Sequence, residues 1–423
     1  MFELGEQHRM VSRMVRQWCE ANLAPAVPAL EAGEAQPFDL MRALTRTFGL
    51  DALARAGLEK RIARLRAAAS GAAAEAGAGV DKGGGASPPE ADDGPSMDDP
   101  LLAFVLIKEL SRVSPGFAMG WGVSVGLAGG AIASRGTADQ IERWGIPLAT
   151  CEKIGSWCLT EPGAGSDAFG SMQTTARPDG ETYVLRGSKT FITNGPGADL
   201  FVVYARIDRG EARPEQGVGA FVVERGAPGF TVGPPFKKMG MRDSPTSEIF
   251  LEDVRVPADH LLGGSEGRGG GRDGTRQSLA SERSAVPAMA WGIIERCYEE
   301  SLRYARERVQ FGRPIGEFQA IQLKLVDIFI KLKNVENMVF RTAWMQRKGK
   351  RDLAFTSASK AYAAQAAVDA ALTAIQIHGG YGYMEELGLE KLARDAKLLE
   401  LGAGTTDINL LAAARAELAR AGS

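Results

Sequence analysis

The fold of this chain is decided by one stretch, Trp157-Cys158-Leu159-Thr160-Glu161-Pro162-Gly163-Ala164-Gly165-Ser166-Asp167, and by the later segment Lys189-Thr190-Phe191-Ile192-Thr193-Asn194-Gly195. The first is rich in small residues, hydroxyls and backbone N–H groups, and its glycines let the main chain approach a bulky anion closely. The second offers the ring face of Phe191 and the hydroxyl of Thr193, which suit the edge of a flat ring system. Each segment alone is more simply interpreted as part of an ordinary β-hairpin, because a Pro178-Asp179-Gly180 turn lies between them.

In this order, the two segments resemble the flavin-binding region of the acyl-CoA dehydrogenase family, whose members carry a T-E-P-x-A-G-S-D loop and then a W-I-T-N-G strand. The resemblance implies that the backbone of 157–166 and the hydroxyls of Thr160 and Ser166 hold FAD. It also implies that Ser166 touches the acyl-CoA and that Thr193 lies by the flavin N5 atom. Phe191 stands where the family usually has Trp, so the ring face is kept and an N–H donor is lost. The FAD contacts expected from this region are Trp157, Leu159, Thr160, Gly165, Ser166, Phe191 and Thr193.

The composition is that of a globular protein with a large core. A length of 423 residues suggests roughly two to four domains, and 44% of the residues are apolar and 24% charged. The formal net charge of −2 gives no sign of a nucleic-acid or membrane-surface partner. No apolar run appears long enough to cross a bilayer, and the first residues lack the profile of a secretory signal.

The cysteines and histidines predict neither a disulfide framework nor a metal site. The four cysteines lack metal-ligand or C-x-x-C spacing, so they are interpreted as reduced structural residues of a cytoplasmic protein. The three histidines form no local metal pattern either. These residues are Cys19, Cys151, Cys158, Cys297, His8, His260 and His378.

The first third of the chain is predicted to be helical. Apolar residues at helical spacing from Val11 to Trp18 indicate an amphipathic helix that ends near Pro25. Further helices are expected over Asp39–Phe48, over Leu101–Val113, and after a capping box that starts at Thr137.

A composition shift interrupts this helical region. From Ala67 to Pro95 the chain is mostly Ala and Gly, with too few large apolar side chains to offset the entropy of ordering it. We therefore expect a flexible or partly disordered insert over about 67–97. A frayed helix over Ala67–Ala78 is the alternative, against which the glycines argue.

The middle of the chain predicts strands and the last third predicts a helical bundle. After a second glycine-rich linker, Gly263–Gly274, apolar residues recur in alternating steps of four and three from Ile321 to Val339, which is the seam of a bundle. Asp352 can cap the next helix, and a final helix follows Thr405 or Thr406. The strands are expected over Leu200–Arg206, Ala220–Glu224, Phe230–Val232 and Glu248–Val254.

This order of elements predicts an α+β protein with the three-domain fold that the resemblance implies. The domains are a helical N-terminal domain over 1–150, a β-barrel-like flavin-binding domain over 151–265, and a C-terminal four-helix bundle over 275–423.

Several motifs of the bundle are similar to the same family. Arg308-Val309-Gln310-Phe311-Gly312 and then Phe318-Gln319 resemble its R-x-x-F-G…F-Q segment, in which the Arg pairs with the FAD pyrophosphate, usually of a neighbouring subunit. Gln376-Ile377-His378-Gly379-Gly380-Tyr381-Gly382 resembles the Q-x-x-G-G-x-G turn near the adenine half of FAD. Each motif alone has a plainer interpretation, as a solvated helix-end Arg or a glycine C-cap. The resemblance implies FAD contacts at Arg308, Phe311, Gln319, Gln376, Gly379, Gly380, Thr405 and Asp407, the last replacing a longer Gln or Glu.

The catalytic base is where the chain departs from many members. The reaction removes the α-proton of an acyl thioester while hydride leaves the β-carbon for flavin, so a carboxylate must reach the α-carbon. Many members supply it as the Glu of Y-E-G-T, whereas this chain has Ala403 in that register. Glu282 aligns with the base of isovaleryl-CoA dehydrogenase and a few relatives, which pair it with a G-A-G-T sequence as here. A first-turn Glu favoured by the helix dipole is the plain alternative for Glu282, and Glu400 is the second candidate for the base.

Small residues at Gly402 and Ala403 leave room beside the α-carbon. The resemblance implies that the backbone N–H of Ala403, which the substitution keeps, donates to the thioester oxygen. The resemblance further implies that Arg283 binds the CoA portion of the substrate.

The sequence therefore favours an FAD-dependent dehydrogenase of a short or branched acyl-CoA that passes electrons to an electron-transfer flavoprotein, as a homotetramer. A flavin oxidase or monooxygenase of the same fold, or a flavin-bound scaffold without activity, is the alternative.

Overall fold

The structure, a computed structural model, describes residues 3–70, 99–208, 217–264 and 271–421, with side chains of the last range from 282 onward. The Ala/Gly-rich insert predicted over about 67–97 lies outside the described residues from 71 onward. Part of the predicted linker Gly263–Gly274 lies outside them as well.

The N-terminal region is helical, as the sequence predicts. The capping box is present, with Thr137 and Gln140 each accepting from the backbone N–H of the other. One helix was not expected, because Gly49, which ends α3, adopts a left-handed φ of 62° and a long helix starts immediately after it. The helices are α1 Glu6–Trp18, α2 Val27–Ala32, α3 Phe38–Thr47, α4 Leu50–Ala69, α5 Pro100–Val113, α6 Pro115–Gly122, α7 Gly130–Arg135, α8 Ala138–Gln140 and α9 Ile146–Ala149.

The run Pro115–Arg135 corrects the expectation that no apolar segment reaches the length of a bilayer. Its 21 residues are helical, and the mean hydropathy of its most apolar window is 1.4. However, 61% of that window is buried inside the protein, where the run packs against the first strand of the sheet. A core helix of a globular protein has this composition, so the run needs no membrane to explain it.

One seven-stranded sheet follows the helices, in the order β1-β4-β2-β3-β7-β6 with β5 paired to β4. Strands β2 and β3 form the predicted hairpin, with Asp179 opposite Thr182 around the turn. Strand β3 slips register against β7 between Lys189 and Ile192, and this irregularity contains Phe191 at a left-handed φ of 57°. The strands are β1 Gly155–Cys158, β2 Thr175–Asp179, β3 Thr182–Thr193, β4 Leu200–Ile207, β5 Val218–Glu224, β6 Phe230–Val232 and β7 Thr246–Pro257.

The C-terminal region is the predicted helical bundle. Its seam is confirmed, since Ile328, Leu332 and Val335 are buried, and Asp352 caps the next helix by accepting from the N–H of Phe355 at 2.9 Å. The sequence analysis placed Glu282 in the first turn of its helix, which was wrong, because that helix begins at Gly271. The elements are α10 Gly271–Glu307, the two-stranded pair β8 Val309–Gln310 and β9 Arg313–Pro314, α11 Gln319–Arg347, α12 Leu353–His378, α13 Gly380–Tyr383, α14 Leu389–Leu401 and α15 Thr406–Ala421.

A buried ion cluster joins all three regions. The Lys391 ammonium on α14 lies 2.5 Å from Asp395 Oδ2, 3.3 Å from Asp243 Oδ2 and 3.4 Å from Glu31 Oε1. Three carboxylates at such spacing resemble a cation site, but here the lysine provides the positive charge. The cluster therefore acts as a clamp that fixes the bundle against the sheet and the N-terminal helices.

Candidate active site

The glycine-rich loop after β1 is anchored by a buried ion pair. Lys189 Nζ lies 2.8 Å from Glu161 Oε1 and donates to the carbonyl of Leu159 at 3.1 Å, and both charged side chains are almost fully buried. Glu161 also accepts from the backbone N–H groups of Gln173 and Thr174 at 2.6 and 2.9 Å. Although burial alone would raise it, the pKa of Glu161 is held below its usual value by Lys189 and these hydrogen bonds. The loop is therefore fixed from below, which leaves its outer face free.

The outer face carries the groups that the sequence proposes for the flavin. Phe191 is 67% exposed, with its ring centroid 5.8 Å from that of Phe236. Ser166 is exposed, as is Gly165, whereas Thr160 is half-buried. The backbone N–H of Thr190 donates to the carbonyl of Thr160 at 2.9 Å, so the loop and β3 form one surface. Thr193, at the end of β3, is also half-buried.

Two predicted cofactor residues in this region turn their side chains toward the core. The Trp157 indole packs edge-on against Tyr204 and donates to its hydroxyl at 3.0 Å. Leu159 is 3% exposed. Only their backbone groups remain available to a ligand, which agrees with the expectation that the main chain of 157–166 forms the contact surface.

A second predicted group lies around a cavity of about 640 Å³ in the bundle. The guanidinium of Arg308 lies 5.7 Å from the ring centroid of Tyr381, and no ion pair with a described carboxylate holds it. Phe311 is 94% exposed at the rim. Gly379 has φ 60° and ψ −134°, a conformation essentially closed to other residues, and with Gly380 it brings bare backbone to the cavity wall.

The two predicted glutamine contacts lie outside this cavity. Gln376 is exposed and lines a neighbouring groove between α11 and α12, together with Leu323 and Leu372. Gln319 is exposed at the first position of α11. In the described part of the chain no hydrogen bond or ring contact joins either of these surfaces to Phe191.

The third group surrounds Glu282. Its carboxylate is half-buried on α10, and no hydrogen bond or ion pair with the described residues fixes it. Burial raises the pKa of Glu282 to about 7, against the opposing charges of Arg283 and Lys360. A carboxylate with such a pKa can both lose and accept a proton near neutral pH, as a general base must.

The residue after Glu282, Arg283, contacts a chain reversal at Gly402–Thr405. Ala403 and Gly404 have left-handed φ values of 56° and 85°, and Ala403 is 8% exposed. Arg283 donates from Nε to the carbonyl of Ala403 at 3.2 Å, so its guanidinium holds this turn. No acceptor within the described residues is assigned to the N–H of Ala403. Gly402 has only a backbone oxygen at 3.6 Å from where a Cβ would lie, so the turn has room beside it.

The predicted FAD contacts Thr405 and Asp407 differ in whether their side chains are free to bind a ligand. The hydroxyl of Thr405 accepts from the N–H of Ile408 at 3.3 Å, which caps α15. Asp407 is exposed in the first turn of that helix.

The residues present fit an FAD. An exposed aromatic ring at Phe191 suits a flat ring system, and the guanidinium of Arg308, which forms no ion pair with a described carboxylate, suits a phosphate. The bare glycine backbone around the bundle cavity suits close approach of a nucleotide.

Family models for the N-terminal, middle and C-terminal domains of acyl-CoA dehydrogenases match residues 51–152, 156–254 and 269–418. The chain belongs to the acyl-CoA dehydrogenase family. It is therefore a flavin-dependent oxidoreductase that acts on CH–CH bonds, and its α+β three-domain fold is that of the family.

Three relatives illustrate the range of similarity. The mitochondrial isovaleryl-CoA dehydrogenase of Arabidopsis thaliana is 37% identical over 311 residues, which are 74% of this acyl-CoA dehydrogenase and 75% of that protein. The CarC subunit of the caffeyl-CoA reductase–Etf complex of Acetobacterium woodii is 35% identical over 315 residues, 74% and 82% of the two chains. The structure of butyryl-CoA dehydrogenase from Megasphaera elsdenii superposes with a TM-score of 0.82 at 32% identity, covering 99% and 100% of the chains.

Two residues at the Glu282 site of this acyl-CoA dehydrogenase escaped the sequence analysis. Lys360 is fully buried and donates to the carbonyl of Gly404 at 2.6 Å. Asn409 is fully buried and donates from Nδ2 to the carbonyls of Gly404 and Thr405 at 2.8 and 3.0 Å. The available signal was that Lys360 is the one lysine or arginine in the Ala-rich helix α12.

Proposed function

We propose that the protein oxidises a short or branched-chain acyl-CoA to the 2-enoyl-CoA, with Glu282 as the base and FAD as the cofactor. The observation that carries this proposal is the half-buried Glu282 carboxylate, whose chain neighbour Arg283 is bonded to the Ala403–Gly404 turn. The pKa of Glu282 is raised to about 7, as a base requires. Ala403 stands where many members of the family carry their catalytic Glu, so that position supplies no carboxylate. The base position is that of the isovaleryl-CoA dehydrogenase type.

Each group of the chain has a separate task in this reaction. The ionised Glu282 takes the α-proton of the thioester, and the N–H of Ala403 donates to the thioester oxygen while negative charge develops there. FAD, when bound, accepts the hydride that leaves the β-carbon. Arg283 holds the carbonyl of Ala403 and so orients the N–H on the other side of the same residue. A contact of Arg283 with CoA stays a prediction.

FAD is proposed to lie across a subunit boundary of a homotetramer. Phe191, Thr193 and the loop of 157–166 would hold its ring system on one subunit, and Arg308 with Phe311 would reach it from a neighbour. This assignment is supported by the exposed apolar side chains on the bundle surface near the Arg308 cavity, where Leu323 is 72% and Phe311 94% exposed. Large exposed apolar patches are typical of interfaces.

Substrate class and electron acceptor are supported by the relatives. The printed names include isovaleryl-CoA and butyryl-CoA dehydrogenases and a subunit of an Etf complex, so a short or branched acyl chain and an electron-transfer flavoprotein are the proposed partners. The proposed compartment is the cytoplasm, which suits four free, buried cysteines.

An anaerobic screen tests this function. The purified holoenzyme is mixed with straight, branched and cyclic acyl-CoAs, and loss of flavin absorbance is followed by stopped flow. Bleaching by four- or five-carbon chains faster than by long chains is expected. Re-oxidation should be fast with a dye acceptor and slow in air, and stoichiometric peroxide release would instead indicate an oxidase. Absence of bleaching by every acyl-CoA would leave the scaffold alternative.

The rate of this bleaching should depend on pH in a way that Glu282 determines. The active form is the carboxylate, so the rate constant should rise about tenfold per pH unit in acid and level off above a kinetic pKa near 7. Single-turnover rates measured from pH 5.5 to 9 at saturating acyl-CoA provide the test. A rate that falls as the pH rises through 7 would contradict a carboxylate base.

A further inference from the structure

Lys360 is a buried lysine that contacts the Ala403–Gly404 turn. It lies on α12 with an exposed fraction of 0%, and its one assigned hydrogen bond goes to the carbonyl of Gly404 at 2.6 Å. No ion pair connects it to a carboxylate of the described residues. Burying a charge without a counter-ion is costly, and an apolar side chain would fill the same space more favourably. A residue kept at such a cost is a candidate for a functional role.

The carbonyl that Lys360 holds belongs to a strained turn. Ala403 adopts a left-handed φ of 56°, a conformation that is unfavourable for a residue with a Cβ. Three side chains from three elements stabilise this conformation. Lys360 donates to the Gly404 carbonyl, Arg283 to that of Ala403, and Asn409 to both, at 2.8 and 3.4 Å. Strain persists where surrounding contacts determine it in this way.

Lys360 is one of two cationic groups whose charge acts on Glu282. Arg283 on the same helix and Lys360 on α12 both act on Glu282, and each favours its ionised form. Glu400 on α14 acts on Lys360, but an ion pair with the exposed Lys397 engages it on that helix. Arg283 and Lys360 are each bonded to a carbonyl of the Ala403–Gly404 turn, so the fold fixes both groups there. Burial lowers the pKa of Lys360 to about 8, so it is still mainly cationic at neutral pH.

We propose that Lys360 is a positioning residue for proton abstraction. Its ammonium fixes the Ala403–Gly404 turn through the Gly404 carbonyl, which aims the N–H of Ala403, and its charge favours the ionised form of Glu282 before the substrate arrives. This inference rests on the proposed function, because it takes Glu282 as the base and the Ala403 N–H as the oxyanion donor.

Two substitutions separate the two roles. Lys360→Gln removes the charge and keeps a donor for the Gly404 carbonyl, whereas Lys360→Met removes both. Both variants should raise the kinetic pKa of flavin reduction by about one unit or more, the shift that a nearby opposite charge produces. Lys360→Met should in addition lower the rate on the alkaline plateau by about tenfold or more. The reason is that the turn is no longer held through the Gly404 carbonyl, so the N–H of Ala403 is no longer aimed at the thioester oxygen.

A second measurement on the holoenzyme does not depend on turnover. A 3-thia-acyl-CoA can be deprotonated at the α-carbon but not oxidised, so its charge-transfer absorbance with the flavin reports enolate stabilisation at equilibrium. The pH midpoint of this band should shift upward in both variants, and its amplitude should fall further in Lys360→Met. FAD content and thermal midpoint are measured on the same samples, and Lys348→Met, at an exposed lysine just after α11, is the matched control, with wild-type behaviour expected.

The outcomes distinguish this inference from the proposed function. If Glu282→Gln abolishes reduction while both Lys360 variants keep the wild-type kinetic pKa and plateau rate, the role of Lys360 is overturned and the base stands. If Glu282→Gln reduces flavin normally, the base assignment itself fails. A Lys360→Met that loses FAD would point to a structural role, in which case the Lys360→Gln pH profile decides, and an unshifted profile overturns the inference.

Discussion

Glu282→Gln is expected to slow anaerobic flavin reduction by an acyl-CoA by about two to four orders of magnitude, the usual contribution of a positioned base. The amide has nearly the shape of the carboxylate, so packing should be kept, but it cannot accept the α-proton. FAD content should be unchanged, because Glu282 lies on α10 and has no contact with the loop after β1. The measurement is a single-turnover stopped-flow experiment at saturating acyl-CoA, with the flavin spectrum as the check on cofactor content.

Glu400→Gln is the matched control for this substitution. Glu400 is half-buried one turn before Ala403, and it is the other carboxylate that the sequence offered as a base. In the structure it is engaged by Lys397, so its removal should change the rate by less than about threefold. A Glu282→Gln variant that reduces flavin at the wild-type rate, together with a slow Glu400→Gln, would transfer the role to Glu400.

The pH dependence of flavin reduction is a second, independent test of Glu282 as the base. Wild-type enzyme should gain activity as the pH rises through about 7, since burial holds the Glu282 pKa there. In Glu282→Gln the residual rate should lose this dependence. A profile that persists in the variant would show that another group titrates in the reaction.

The fold was predictable because its signals are local. Residue spacing within a few helical turns or one β-turn is enough to predict three of its features. These are the seam from Ile328 to Val335, the Asp352 cap and the Asp179–Thr182 hairpin. The beginning of α10 was missed because the glycines before Ser281 indicate a linker. Composition gave no warning that the helix extends back to Gly271.

The candidate site was predictable only where a residue departs from an expected motif. Ala403 in place of a carboxylate directed the search for a base to Glu282, and the structure then supplied the burial that raises its pKa. Lys360 could not be found in this way. A lysine in an Ala-rich helix normally marks a solvated face, and its bond to the carbonyl of Gly404 spans 44 positions of the chain.

Glu161 illustrates the same limit within the motif that decided the fold. In the sequence it lies between Thr160 and Pro162 in an anion-binding loop, which suggests a surface residue. In the structure it is 5% exposed and pairs with Lys189, 28 positions later. The pattern of small residues therefore predicts the outer face of the loop, while the packing beneath it appears only in three dimensions.

Breaking the buried Glu161–Lys189 pair is expected to lower both the stability of the fold and the retention of FAD. Lys189→Met should lower the free energy of unfolding by about 3–5 kcal/mol, because it leaves the Glu161 carboxylate buried without its cation. The loop 157–166 should loosen with it, since the Lys189 ammonium also holds the carbonyl of Leu159 at 3.1 Å. FAD should then dissociate at protein concentrations at which the wild type retains it. Urea unfolding followed by far-UV circular dichroism, and flavin absorbance after gel filtration, measure the two results.

Arg186, on the same strand as Lys189, provides the control for Lys189→Met. Arg186 forms a bidentate ion pair with Asp253 at 3.0 and 2.7 Å, but both side chains are exposed, so Arg186→Ala should leave unfolding and FAD content as in the wild type. The double variant Glu161→Gln/Lys189→Met removes both charges and should recover part of the stability that Lys189→Met loses. If Lys189→Met is as stable as Arg186→Ala and keeps its FAD, the ion pair does not hold the loop. If the double variant is less stable than Lys189→Met, the hydrogen bonds from Gln173 and Thr174 to the Glu161 carboxylate, rather than the charge pair, fix the flavin-binding face.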